Sequence, residues 1–191
     1  MSAIQRFTVQ QDGALLGRFE PIEVDLLRLA TTQLLEMLDS GTANPELAAT
    51  DGIFGRLLPD AYRDDDEAAA EFRRYTSVNL LAQKALNAQT VLSSLHSDVR
   101  ASDPIASLSA DETDVSAADT ADRQPYTVSI DPDAVQAWLR SLTDLRLTLA
   151  DRLQISPDGV VNLATEDTPF LRELYDWLGM LQEELVYAID I

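Results

Sequence analysis

The residues of this chain with the best claim to chemistry are a glutamate and two arginines. Projected at 100° per residue, Glu71 falls near the middle of the apolar arc of a long helical segment, and Arg146 falls between Leu139 and Leu153 on the apolar face of another. Both charges are therefore read as at least partly buried. A lone buried charge is prohibitively costly, whereas a paired and hydrogen-bonded one persists. Glu71 is accordingly expected to meet Arg146 directly or through one side chain, with Arg74, one turn along from Glu71, as a second donor. Such a group does one of two things. It fastens two halves of a chain together as an ion network, or it offers a carboxylate flanked by guanidinium groups to a ligand or a reacting proton. The network is the simpler reading, and no catalytic residue is assigned.

Other candidates have plainer explanations. Asp64 to Glu67 supplies carboxylates for a hard cation, but consecutive helical residues point in different directions. Asp64 with Glu67 three residues on reads instead as an aspartate version of the capping box, with Asp65 and Asp66 where the helix dipole favours negative charge. Asn79 and Gln89 lie on the same apolar arc as Glu71 and are read as interhelical hydrogen-bonding groups. His96 is the only imidazole and sits at a helix end, where positive charge is favoured. With no cysteine and one histidine, histidine triads, zinc-thiolate sites and multi-histidine metal sites are excluded. Glycine-rich phosphate loops and nucleophile elbows are absent, so neither a cofactor nor a metal is expected.

Charge narrows the partners. The chain carries 33 acidic and 14 basic residues, a net of −19, and Lys84 is the one lysine among those bases. Leaving out the acidic stretch 98–122 still leaves 26 acids against 13 bases. Duplex nucleic acid requires a basic patch making several phosphate contacts, which no stretch supplies. The acidity is read mainly as conferring solubility, with a partner of basic surface as the alternative; a protein partner of open identity is expected, and neither nucleic acid nor membrane. No run approaches the roughly 18 apolar residues of a membrane span, and Met1 to Gln10 lacks a signal-peptide pattern. Cytoplasmic residence follows as the simplest expectation. The sequence leaves the oligomeric state open, a homodimer included.

The elements that must position these residues follow from periodicity. Asp12-Gly13 between two short apolar runs predicts an N-terminal β-hairpin. Glu20-Pro21 opens a helix that Gly41 and Pro45 should end, and 42–52 reads as loop, with one helical turn before Pro59. A long central helix, surrounded by others, is predicted from Asp65 to about His96. Val78, Ala82, Ala85, Leu92 and Leu95 belong to its apolar arc, and Arg73, Gln83, Lys84 and Asn87 to its narrow polar side. The segment 98–123, rich in Asp, Ser, Ala and Thr, is predicted to be a disordered linker interrupting a single domain of 1–191. Tyr126 to Ile130 alternates like a strand that could join the hairpin. Asp131-Pro132 starts a helix with a seam through Val135, Trp138, Leu142, Leu145, Leu149 and Leu153, and Thr168-Pro169 starts the last one.

The pieces Leu57-Leu58-Pro59-Asp60-Ala61-Tyr62, Glu71-Phe72-Arg73-Arg74, Trp138-Leu139 and Thr143-Asp144-Leu145-Arg146-Leu147 carry a resemblance. Through them the chain resembles an uncharacterised actinobacterial family, whose genes commonly sit beside the gene for the Clp-protease adaptor ClpS. The resemblance implies a link to regulated proteolysis. Members have also been labelled putative transcriptional regulators, a role the charge opposes. The expectation is a mainly α-helical bundle of about four principal helices with a small accessory β-sheet, made of the N-terminal hairpin and one later strand. Its expected role is that of a non-enzymatic interaction or regulatory factor. The alternatives are a transcriptional regulator and a ligand binder or enzyme using Glu71, Arg74 and Arg146.

Overall fold

A computed structural model describes residues 5–48, 51–58, 64–96, 125–156 and 158–190; the side chains of Leu47, Asp66, Arg73 and Arg74 are outside that description. The segment read as a disordered linker, 98–123, lies outside the described residues.

The chain opens with the expected hairpin. Strand β1 (Phe7–Val9) pairs antiparallel with β2 (Leu15–Phe19). Gly13 takes the left-handed turn conformation at φ 85°, and the Asp12 carboxylate accepts from the Ala14 N–H at 3.0 Å. Strand β3 (Tyr126–Ile130) adds to the other edge of β2, giving a three-stranded antiparallel sheet in the order β1-β2-β3. Its buried face carries Phe7, Leu15, Phe19, Val128 and Ile130. Phe19 meets Phe7 edge-on at 5.9 Å and stacks on Trp138 at 6.3 Å. Gly17 lies between the two phenylalanines, where a Cβ would come within 2.9 Å of Phe7 and 2.7 Å of Phe19.

Helix α1 (Pro21–Ala43) starts where Glu20-Pro21 predicts. It runs through Gly41 instead of ending there, and the Phe54 ring packs against that position so closely that a Cβ would clash with it. The glycine therefore serves a close packing contact, not a stop. The predicted loop contains one helical turn, α2 (Pro45–Ala48), and the expected short helix follows as α3 (Gly52–Leu57), capped by the Asp51 side chain accepting from the Ile53 N–H.

The long helix α4 (Asp66–His96) begins one residue later than the capping-box reading implied. Asp65, not Asp64, accepts from the Ala68 N–H, at 2.9 Å. A turn of 3-10 helix (Pro132–Ala134) leads into α5 (Val135–Arg152), and α6 (Thr168–Ile189) closes the described chain. Helix α4 packs between α1 and α5, while α6 lies against α5 and reaches β1. Buried side chains from all these elements make one continuous apolar core, with Trp138 at 0% exposure and its indole N–H donating to Ser94 Oγ. The fold is thus mainly helical with a small accessory sheet.

The expectation that α4 is surrounded along its length is corrected. At about 1.5 Å per residue, its 31 residues span roughly 46 Å against roughly 27 Å for the 18 of α5. In its N-terminal half Phe72, Tyr75, Val78 and Leu80 are exposed, while Ala69 is buried. Asn79, Ala82 and Gln89 are exposed as well, so the two amides are not buried interhelical groups. On the supposedly polar side Asn87 is buried and Lys84 half-buried, because that side faces α5.

Candidate functional site

Of the predicted trio, Glu71 and Arg146 are described, and the structure does not pair them. Glu71 is exposed on α4. The Arg74 side chain is outside the described residues. Arg146 is half-buried as expected, but it faces α6, not α4. Its Nη1 donates to Gln182 Oε1 at 3.1 Å, its Nη2 to the Tyr175 hydroxyl at 3.4 Å, and its guanidinium lies 4.9 Å from the Tyr175 ring centroid, packed on Gly179. Neutral acceptors and an aromatic face therefore do what a carboxylate was expected to do. The ion pair expected between Glu71 and Arg146 is corrected by this placement.

Among the described residues, Lys84 and Asp144 form an ion pair between α4 and α5. Lys84 Nζ donates to Asp144 Oδ1 at 2.6 Å, with side-chain exposures of 22% and 3%. Their positions follow from helical spacing. Gln83, Lys84 and Asn87 share one face of α4, and Arg140, Thr143 and Asp144 share the facing side of α5, so six polar residues line a crevice of about 300 Å³. Burial pushes the Asp144 carboxyl above its ordinary range, and the hydrogen bond and charge of Lys84 pull it part of the way back. Its second oxygen, Oδ2, is buried without a hydrogen-bond partner. Gln83 donates to Asn87 at 3.4 Å, and Gln182 donates to Thr143 at 2.8 Å, which ties the crevice wall to Arg146.

One sequence signal pointed here. Ser141, Asp144 and Thr148 recur at helical spacing beside the apolar seam of α5, and all three are buried. Such a stripe marks a second face in contact with another helix.

A second polar cluster fastens the ends of the chain. Arg6 grips the Glu23 carboxylate with both terminal nitrogens, at 2.7 and 2.9 Å, while its Nε donates to Glu184 at 2.8 Å. Glu23 also accepts from the Glu20 N–H and the Trp177 indole, at 2.8 and 3.1 Å. Burial alone would raise the Glu23 carboxyl, but the hydrogen bonds from Arg6 and Glu20 outweigh it and hold Glu23 below the usual carboxylate range. Burial likewise disfavours the Arg6 cation, and its two carboxylates more than compensate. This cluster joins the hairpin, α1 and α6, with every strong group already engaged, so it reads as a clasp.

An apolar groove of about 400 Å³ opens between α1, α5 and α6. Leu26, Leu29, Ala30, Leu34 and Met37 form its α1 wall at helical spacing, Leu145 and Leu149 its floor, and Phe170, Leu171 and Leu174 its far wall. Gln33, Thr148, Arg152 and Asp167 are the polar members of the lining. Leu29 is 58% exposed and Phe170 54%. Among the described residues no group of three or more acidic or histidine side chains is placed to hold a metal ion, and no helix is long and apolar enough to cross a membrane.

The sequence model of a family described as "Domain of unknown function (DUF2017)" matches residues 2–189. Among curated proteins and among solved structures, nothing matches.

Proposed function

Because the chain belongs to the DUF2017 family, whose description assigns no activity, its role has to be read from its surface, and we propose that it is a non-enzymatic interaction or regulatory factor that seats an amphipathic helix of a protein partner in the groove between α1, α5 and α6. The observation that carries this reading is the pair of large apolar side chains, Leu29 and Phe170, held more than half exposed on opposite walls of one apolar groove. An amphipathic helix lays its apolar face into such a groove. Charge specifies the partner further: the protein carries a net of −19, and Asp25, Glu36, Asp39 and Glu173 are exposed on the two walling helices. A helix with basic flanks is the complementary occupant. Cytoplasmic action and a link to Clp-dependent proteolysis, which the sequence resemblance implies, belong to the same proposal.

The experiment compares the tagged wild-type chain with Leu29→Arg and Phe170→Asp variants of unchanged melting temperature. The expected result is a basic protein recovered from lysate by the wild type at low salt, lost with either variant and weakened by added salt. Equal recovery by all three proteins overturns the groove reading, as does a wild type that dimerises through the groove in sedimentation and recovers nothing else. Titrated with fluorescent duplex DNA at low salt, the protein should give no saturable binding tighter than about micromolar. Tighter binding would favour a transcriptional regulator.

A further inference from the structure

We propose that the chain self-associates through the outer face of α4, pairing that helix antiparallel with α4 of a second copy along a seam of Tyr75, Asn79, Ala82 and Leu86. The groove between α1, α5 and α6 takes no part in it.

The seam follows from helical spacing. Tyr75, Asn79, Ala82 and Leu86 step by four, three and four residues, the spacing that keeps side chains on one side of a helix and lets them meet a second helix. All four are exposed, Tyr75 at 69% and Leu86 at 56%, and Val78 flanks them at 41%. Leu81, Ala85, Ala88, Val91 and Leu95, which bury α4 against its own chain, lie on a different side. At 100° per residue the two sets centre roughly 150° apart.

Charge selects a second copy as the occupant. A surface of net −19 repels another of the same kind, so two copies approach with least opposition where carboxylates are missing. The run from 72 to 97 contains none and is the longest such run in the chain, although 33 residues of the chain are acidic.

Direction follows from Glu71, exposed one turn before Tyr75 on the same side of the helix. Parallel helices would set the Glu71 carboxylates of the two copies against each other. An antiparallel pair sets each toward Thr90 of the other copy, and the seam becomes self-complementary. Tyr75 then meets Leu86 at both ends, and Asn79 meets Ala82 in the middle, where the small alanine lets the helices approach. One patch serves both copies about a single twofold axis. From Tyr75 to Leu86 the seam runs about 17 Å, which places it with small, transient interfaces. A dissociation constant of about 10 to 100 μM is expected.

The test is sedimentation of the full chain from about 5 to 500 μM, at low and at high salt. A monomer-dimer equilibrium is expected, and salt should strengthen it at least about threefold by screening the two net charges. Recovery of a basic partner through the groove has the opposite salt dependence, so the two readings fail separately. Tyr75→Lys and Leu86→Glu, both at exposed side chains, should each weaken dimerisation at least about tenfold with the melting temperature unchanged. Mixed in equal amounts, the two variants should associate again, because the antiparallel register sets the introduced lysine against the introduced glutamate and leaves the other end as in the wild type. The proposal is overturned by a dimer that survives either substitution, by a dimer that salt weakens, or by variants that stay apart when mixed. A chain that stays monomeric at about 500 μM also overturns it, and leaves the face to a different protein.

Discussion

Replacing Lys84 by methionine removes the ammonium group while keeping a stem of similar length, so the variant isolates the charge facing Asp144. With Asp144 at 2% exposure, losing the partner strands a carboxylate that already has one unsatisfied oxygen. Breaking a buried pair from one side costs about 3 to 5 kcal/mol. For a chain of this length, about 2 to 4 °C per kcal/mol gives a fall in melting temperature of roughly 6 to 20 °C at neutral pH.

The pH dependence makes the argument specific. Burial already raises the Asp144 carboxyl above its ordinary range, and Lys84 restrains it. An acid whose folded pKa is raised loses folding stability as pH climbs from its ordinary value to the raised one. Without Lys84 the folded value rises further, so the window extends upward and the deficit of the variant grows with pH. Urea denaturation at pH 5 and pH 8 should therefore show a small deficit at the lower pH and the full one at the higher. A second variant, Lys84→Met with Asp144→Leu, should recover most of the loss. A deficit that is independent of pH, or below about 1 kcal/mol at pH 8, would refute the account of Asp144 as an ionised group dependent on Lys84.

Gly41→Ala should destabilise by about 1 to 3 kcal/mol through overpacking against Phe54, and Gly41→Ala combined with Phe54→Leu should regain part of it; denaturant midpoints measure both. Glu23 contributes in the opposite sense to Asp144. Its folded pKa is depressed, so its contribution is fully present above the ordinary carboxylate range and is lost as pH falls through the depressed value. Glu23→Gln should cost about 1.5 to 3 kcal/mol at pH 7, with wild-type and variant curves converging in acid.

Local chemistry made much of the fold legible. Asp12-Gly13 marked the hairpin, alternation marked β3, and the seam from Val135 to Leu153 marked α5, because each signal is a property of a few neighbouring residues. Gly41 misled because a glycine reads as a stop when isolated and as a packing contact once Phe54 lies against it. The pairing of Glu71 with Arg146 failed because a projection shows which face of a helix is apolar but not which of its residues has a neighbour, and Glu71 is exposed. Arg146 was rightly read as partly buried, while its partners Gln182 and Tyr175 came from a third helix that no pairwise argument between α4 and α5 could reach. Lys84 was read onto the narrow polar side of α4 by projection alone, which could not show that a buried acid on α5 faces it.

The fate of that one lysine bears on how long the protein survives and how it can be marked. Acetyl groups and protein tags are attached to lysine side chains, and this chain offers a single such amine against 13 arginines, which hold their charge without offering a nucleophile. The amine is only 22% exposed and is held by Asp144. A transferase would have to break a buried contact of α4 with α5 before it could react. The folded protein is therefore nearly invisible to lysine-directed marking, and becomes markable at Lys84 when those two helices part.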